Sequence, residues 1–491
     1  MSLDPRTPVL VGAAVANQRE DDPADAVEAL ELMARAIESA AGIAGSAALV
    51  AAAGMVAVPN GTWSYVDPGR LLADRCGAPG ATTMVADVGI LQQDVISEVC
   101  RLVASGGLDV GLVVGGEARF RALRARVLGV DAPETTQPEG TVPDVRWMPD
   151  SLGIHDLEMI RNAVTPTTAY ALIEHARMGR LGRSPEQHST ALGKLYAGLA
   201  SVASVNENAW DRRRYTAEEV ITASDTNRVI SSPYTKLMCS QWNVDQAAAL
   251  VICSVEAAER FGVPPDRWVF PWSSAVSNLA EPVIQRDLID GCPGGELAAR
   301  ATLSLAGVGL DDIAHLDLYS CFPAAVEAYA DALGVTDARE LTVTGGMSFA
   351  GGPLNNYVLQ AMVELCSRLR AEPGSVGLSS SVSTYLHKQG FGLWSTEPPA
   401  AGFCYEDVSA AARMAPTRPV AADHVGAATV ATWTVDHQAG EPFRAVVVCD
   451  VADGARTLAS TGDAQVCAAM ARGDWIGTSV EVRPDGSFTP A

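Results

Sequence analysis

Apolar positions along the chain fall into short blocks that switch between a strand period and a helix period. Residues 7–12 are an apolar run closed by Gly12, as in a buried strand. Residues 26–41 then place Leu30, Met33, Ile37 and Ala40 on one helical face, with Gly42 available to end it. Residues 49–58 are apolar again, which completes a β-α-β unit. Residues 82–88 predict a strand, 92–104 a helix, and 109–114 a strand running into Gly115-Gly116-Glu117.

The same order returns in the second half. Residues 268–271 predict a strand, 296–306 a helix ending at Gly307, and 315–319 a strand. Residues 340–344 lead into a glycine-rich turn, followed by a long helix over 355–370 and a strand over 376–381. Val9 matches Val269 and Val85 matches Val343, an offset of roughly 260 residues that fits a duplicated α/β domain and is far too long for a solenoid. Between the copies, residues 119–235 are mostly helical in pattern. They carry two basic clusters, Arg119/Arg121/Arg124/Arg126 and Arg212/Arg213/Arg214, which suit either solvated helix faces or a phosphate-bearing ligand. Beyond an Ala- and Pro-rich boundary over 399–419, closely spaced strand patterns (427–436, 443–451, 455–460, 478–482) and a short helix over 464–471 predict a small antiparallel barrel.

Composition narrows the function classes. The 491 residues allow two to four domains at about 100–200 residues each. A hydrophobic share of 48% against 19% charged marks a folded globular chain. The net charge of −23 argues against nucleic acid or an anionic membrane as the main partner. The first residues lack a basic and apolar leader pattern, and no apolar run approaches the ~18 residues of a membrane span, so a soluble cytoplasmic protein without membrane insertion is expected. Ten scattered cysteines without a C-x-x-C pair read as reduced core thiols, and the histidines show no metal-ligand spacing, so no metal is expected. Only Lys194, Lys236 and Lys388 are lysines, which makes each slightly more informative than usual in an arginine-rich background.

Four loops carry a family likeness: Pro233-Tyr234-Thr235-Lys236-Leu237-Met238, Val244-Asp245-Gln246-Ala247-Ala248-Ala249, Leu318-Tyr319-Ser320-Cys321-Phe322-Pro323 and Gly392-Leu393-Trp394-Ser395-Thr396-Glu397-Pro398. With the duplication and the insertion after Gly115-Gly116-Glu117-Ala118, residues 7–400 resemble the thiolase superfamily, specifically sterol-carrier-protein-type thiolases and actinobacterial thiolase-like proteins of type 1. The tail resembles the extra C-terminal domain of the thiolase-like type and does not look like a sterol-carrier domain. The resemblance implies an α/β thiolase fold of two βαβαβαββ halves in α/β/α/β/α layers, plus a C-terminal antiparallel β-barrel. The expected parts are residues 1–118 with 236–260 as the first half, 119–235 as the inserted helical domain, 261–400 as the second half, and 405–491 as an OB-like barrel.

Thiolases use a nucleophilic cysteine at a helix N-terminus, a second cysteine as acid/base, and histidine- or asparagine-bearing loops as oxyanion holes. At each of these places the chain departs. The turn between strand 82–88 and the helix at 92 reads Ala86-Asp87-Val88-Gly89-Ile90-Leu91-Gln92-Gln93, and Cys100 lies more than two helical turns too late. Ala350-Gly351-Gly352-Pro353 has glycine where the family's G-H-P loop has histidine. Tyr319-Ser320 stands in place of the family's polar pair, and residues 379–387 offer hydroxyls where an acid/base thiol belongs.

The expectation is therefore a thiolase-like protein of lipid metabolism that handles acyl-CoA, acetyltransferase-like by family but without thiolysis. The alternatives are a retro-aldolase acting on a hydroxyacyl-CoA through Tyr319, since that cleavage needs a base and an acid but no covalent nucleophile, and a non-catalytic CoA-binding scaffold. Tyr319 and His387 are the candidate catalytic groups. Ser320, Cys321, Gly351, Gly352, Asn355, Tyr234 and Lys236 are the candidate residues for binding substrate or CoA. Each has a plain reading as well: Tyr319 as a buried, satisfied tyrosine, Cys321 as packing, the glycine pairs as close backbone approaches to the other half, and Lys236 as a surface residue. The implied ligand is a coenzyme A ester, with no covalently bound cofactor, and the implied assembly is a homodimer or a monomer.

Overall fold

The computed structural model of the chain describes residues 3–491. The first sheet contains β1 (Pro8–Gln18), β2 (Met55–Pro59), β3 (Thr82–Ala86), β4 (Val110–Ala118) and the three-residue β5 (Val145–Trp147). A short hairpin of β6 (Val229–Ser231) and β7 (Tyr234–Thr235) comes next, after which β8 (Asp245–Ser254) returns to the first sheet. Its order is β1-β8-β4-β2-β3-β5. β8 runs antiparallel to both neighbours, and β4, β2, β3 and β5 run parallel. All ten residues of β8 are buried, as expected of a strand covered on both faces.

The second sheet contains β9 (Phe270–Ser277), β10 (Ile313–Asp317), β11 (Val376–Ser383), β12 (Lys388–Ser395) and β13 (Cys404–Asp407), in the order β10-β11-β12-β9-β13. The helices Gln92–Ala104 and Tyr357–Ala371 lie between the two sheets and touch strands of both. The helix Ala29–Ala44 covers the outer face of the first sheet, and Pro293–Ala306 covers that of the second. This makes the α/β/α/β/α stack. Its two sheets also meet directly where Leu10 N–H donates to Val269 O at 2.8 Å and Val269 N–H returns to Leu10 O at 3.0 Å.

The C-terminal sheet has the order β16-β15-β14-β17-β18, with β14 (Gly426–Gln438), β15 (Glu441–Asp450), β16 (Arg456–Thr461), β17 (Ser479–Val482) and β18 (Phe488–Pro490). All its neighbours are antiparallel, and it packs around the helix Ala464–Met470. It holds its own core of Trp433, Val435, Val447, Cys467, Met470 and Phe488.

Three expectations change. Residues 340–344, matched by offset to β3, form no strand. Residues 405–407, expected to open the barrel, belong to β13, which pairs with β9 in parallel from Cys404↔Ser273 to Asp407↔Val276. The insertion is not purely helical, because it gives β5 to the edge of β3 (Val85↔Arg146) and the β6–β7 hairpin to β14 (Ser231↔Asp436). Its helix Pro166–Arg180 is fastened to β14 as well. Thr168 Oγ1 donates to Asp436 Oδ1 at 2.9 Å, Thr432 Oγ1 donates to Leu172 O at 2.6 Å, and His175 stacks on Trp433 at 4.1 Å. Among the described residues no helix is long and apolar enough to cross a membrane.

Candidate active site

β3 delivers the chain into the turn at Gly89, whose φ of +108° only glycine adopts easily, and the helix starts at Gln92. The two glutamines after the turn are engaged inside the protein. Gln92 Oε1 accepts the Val358 N–H at 2.7 Å, satisfying an otherwise unpaired donor at the start of the other central helix. Gln93 Nε2 donates to Ser97 Oγ and Ser274 Oγ, both at 3.3 Å, while its Oε1 accepts from Ser379 Oγ at 3.1 Å. Gly392 makes room for this side chain, since a Cβ there would lie 2.6 Å from Gln93 Nε2. Cys100 is fully buried further along the same helix, and burial pushes its thiol pKa far up.

The opposing loop grows from β10. Asp317 Oδ2 accepts from Val343 N–H (3.0 Å), Thr344 N–H (3.3 Å), Thr342 Oγ1 (2.9 Å) and Thr344 Oγ1 (3.2 Å), and Oδ1 accepts from the Tyr357 hydroxyl at 3.0 Å. Ser320 joins this interior network, accepting the Met347 N–H at 3.0 Å and donating to Tyr357 Oη at 3.3 Å. Tyr319 is 7% exposed and meets Tyr357 edge-on at 5.7 Å. Its hydroxyl makes no hydrogen bond among the described residues, and burial pushes its pKa well above that of an ordinary tyrosine. Cys321 is buried beside Tyr170, which stacks on Phe322 at 4.7 Å, and burial pushes the thiol up to about 12. It is therefore a protonated packing residue at neutral pH.

Several expected ligand contacts are turned inward. Tyr234 is fully buried and donates to Glu174 Oε2 at 2.7 Å, so its hydroxyl is spent on the insertion's own core. A Cβ on Gly351 would stand 2.1 Å from Gln246 Oε1, and one on Gly352 2.1 Å from Ser240 Oγ, so both glycines admit neighbouring protein side chains. Asn355 is half-buried; its Oδ1 meets Gln92 Nε2 at 3.5 Å, while its Nδ2 has no partner. Lys236 is exposed. His387 is buried with Nδ1 2.8 Å from Leu152 O, and burial, then the Arg286 charge, hold its pKa down at about 3. It touches Tyr385 at 5.4 Å, which in turn meets Tyr170, and no hydrogen bond joins it to Tyr319. Tyr319, Ser320 and Cys321 thus share a loop, and His387 stands apart.

Two clefts and one buried cluster remain; of these, only the second cleft carries residues that the sequence pattern picks out, Arg212 and Arg213. Asp94 is buried, accepts from Asn278 Nδ2 at 2.8 Å and Tyr405 Oη at 2.9 Å, and is raised by burial to about 6. It lines a cleft of about 370 Å³ with Arg101, Trp147 and Tyr405. A second cleft of about 550 Å³ is lined by Arg19, Trp210, Arg212 and Arg213, with Arg19 stacked 4.9 Å over Trp210. Thirdly, Glu174, His188 and Glu327 gather ligand-type atoms within 4.8 Å of one another, although nothing in their spacing announces it. Arg177 Nε at 3.2 Å and Arg183 Nη1 at 3.6 Å face Glu327, while His188 Nε2 at 2.8 Å and the Tyr234 hydroxyl at 2.7 Å face Glu174, so the cluster works as a polar network tying the insertion to the helix Pro323–Leu333.

Residues 407–487 match the family model of the thiolase-like protein type 1 additional C-terminal domain. Over the whole chain, the structure is similar to a monomeric SCP2-thiolase-like protein type 1 from Mycobacterium smegmatis, with a TM-score of 0.85, 28% identity and 100% of both chains covered. The chain has the thiolase fold with the additional C-terminal domain of the thiolase-like type. The thiolase fold also relates it to the dimeric peroxisomal thiolase of Saccharomyces cerevisiae (TM-score 0.57, 15% identity, 81% of this chain and 99% of that one). It relates it as well to an Ltp2-ChsH2 aldolase (TM-score 0.61, 18% identity, 80% and 99%). Sterol carrier protein 2 of Bos taurus is 24% identical over 250 residues, which span 43% of this chain and 45% of that protein. On this thiolase fold, the turn that leads from β3 to the helix Gln92–Ala104 contains no thiol.

Proposed function

We propose that the protein binds a coenzyme A ester of lipid metabolism and does not cleave it by thiolysis. The observation that carries this reading is the turn from Ala86 to Gln93, which has no cysteine and whose two glutamines are committed to interior hydrogen bonds. Without the thiolate the covalent route is lost, and Cys321, held protonated near neutral pH, does not replace it. The cleft of Arg19, Trp210, Arg212 and Arg213 supplies what a nucleotide-bearing thioester requires, guanidinium groups for phosphate and an aromatic face for a base. Calorimetry with coenzyme A and acetyl-CoA tests the binding. We expect measurable affinity that falls several-fold in Arg212→Ala, no consumption of acetoacetyl-CoA with coenzyme A, and no acetyl adduct on Cys321. No binding even at millimolar ester rules the reading out.

A second reading rests on Tyr319, whose hydroxyl stands unbonded at the C-terminal end of a sheet strand, where α/β folds place ligands. It is retro-aldol cleavage of a hydroxyacyl-CoA. Products seen by mass spectrometry with the native chain and lost in Tyr319→Phe support it.

A further inference from the structure

Lys388 differs from the chain's other two lysines. Lys194 and Lys236 are exposed, whereas Lys388 is 3% exposed at the start of β12. Its Nζ donates to Gly89 O at 2.8 Å, and among the described residues no carboxylate comes within 4.0 Å of it. Asp150 and Asp94 act on it only from farther away. A buried cation without a carboxylate partner is costly, and arginine, the cation used almost everywhere else in this chain, has no means of shedding that charge. Lysine sheds it by releasing a proton.

The surroundings favour that release. Gly89 lies three residues before the helix Gln92–Ala104, whose first N–H groups carry partial positive charge, and Leu91 at its cap offers no side-chain acceptor. Burial depresses the Lys388 pKa further. The cover is thin. Gly89 packs against Pro149 and Leu152, Leu152 O is 2.8 Å from His387 Nδ1, and Asp150, Ser151 and Leu152 are all exposed.

We propose that Lys388 is a carbonyl-capturing amine whose neutral Nζ forms an imine with a ketone or aldehyde ligand. The nitrogen lone pair attacks the carbonyl carbon, forming a C–N bond as the C=O π pair moves to oxygen. One N–H proton passes to that oxygen, giving a carbinolamine. The hydroxyl then leaves as water with the second N–H proton, so amine plus carbonyl yields imine plus water with no oxidant or reductant. The coenzyme A reading above matters here only for naming the ligand class, a 3-ketoacyl thioester whose ketone is captured.

Reductive trapping tests this on the intact chain. The protein is incubated near pH 7 with cyanoborohydride and either butanal or acetoacetyl-CoA, and adducts are located by peptide mass spectrometry. Lys388 is expected to be labelled by butanal faster than Lys194 and Lys236 despite its burial, because a depressed pKa supplies more free amine. The label should vanish in Lys388→Arg, which keeps a cation facing Gly89 O, and thermal melts of that variant report its folding. Butanal labelling without acetoacetyl-CoA labelling supports the amine and counts against the coenzyme A reading. Labelling of Lys388 by acetoacetyl-CoA alone supports both. Adducts that follow exposure, on Lys194 and Lys236 with Lys388 bare in both arms, overturn the proposal.

Discussion

In the first half, residues 82–86 are held as β3 by parallel ladders to β2 and β5, with Val85 opposite both Val58 and Arg146. In the second half, residues 340–344 have no ladder, and the carboxylate of Asp317 takes its place by gathering two backbone N–H groups, two threonine hydroxyls and Tyr357. Both segments lead into site loops at matching places in the duplication. One is positioned by a sheet, where the load is spread over many bonds. The other gathers most of its bonds on one buried carboxylate, with Leu318 N–H to Leu341 O and Asn206 Nδ2 to Thr344 O, both at 2.9 Å, beside it. A duplicated fold can therefore keep a loop's position while changing what enforces it, and the two devices fail differently.

The largest expected effect breaks the second device. Asp317→Ala leaves the buried Val343 N–H without an acceptor, takes one acceptor from Thr342, Thr344 and Tyr357 together, and should cost about 3–5 kcal/mol in urea unfolding. The matching change in the first half, Thr83→Val, removes hydroxyl contacts to Asp67 and Asp144 at 3.0 and 3.3 Å but leaves the ladder, and should cost about 1 kcal/mol. Equal losses would show that the carboxylate is not what holds residues 342–344.

Acid titration sharpens the same contrast between halves. His387, in the second half, is held down at about 3 from an ordinary 6.5, so between these values the native state binds fewer protons than the unfolded chain. Its contribution to stability is complete above pH 6.5 and falls as pH drops toward 3, by up to about 1.4 kcal/mol per pH unit. His175, held at about 4 by burial, adds to this with the same sign. Asp94, in the first half, is raised from 3.8 to about 6, so the native state binds the extra proton and the cost of its burial is relieved as pH falls from 6 toward 3.8. The terms oppose each other. His387→Gln should flatten the acid limb of stability against pH, and Asp94→Asn should steepen it. A limb unmoved by both changes would show that neither group is buried as described.

What the sequence could reveal follows from where the information resides. The helix Ala29–Ala44 was legible because its buried face repeats at helical spacing, and β14 because it alternates over many residues. β5 was not, since three residues are too few to show a period, and residues 340–344 were misread because Asp317, more than twenty positions away, fixes their path. The lost cysteine was legible because motif positions are sequence positions. Asp94 and Lys388 were not, because burial of a lone charge leaves no periodic trace. Tyr234 was read as facing a ligand because its loop motif does not disclose that the partner is Glu174, from another helix.

The smallest expected effect separates two tyrosines that touch. Tyr357 and Tyr319 meet edge-on at 5.7 Å, but their hydroxyls differ. Tyr357 Oη bonds Asp317 Oδ1 at 3.0 Å and Thr344 Oγ1 at 2.7 Å, so Tyr357→Phe should cost about 1–2 kcal/mol. Tyr319 Oη bonds nothing among the described residues, so Tyr319→Phe should shift stability by less than about 0.5 kcal/mol. A hydroxyl that the fold does not use is free for a ligand. If Tyr319→Phe instead destabilises the chain as much as Tyr357→Phe, its hydroxyl belongs to the Asp317 network after all. The tyrosine would then be part of the device that holds residues 342–344, and the retro-aldol reading would lose its acid.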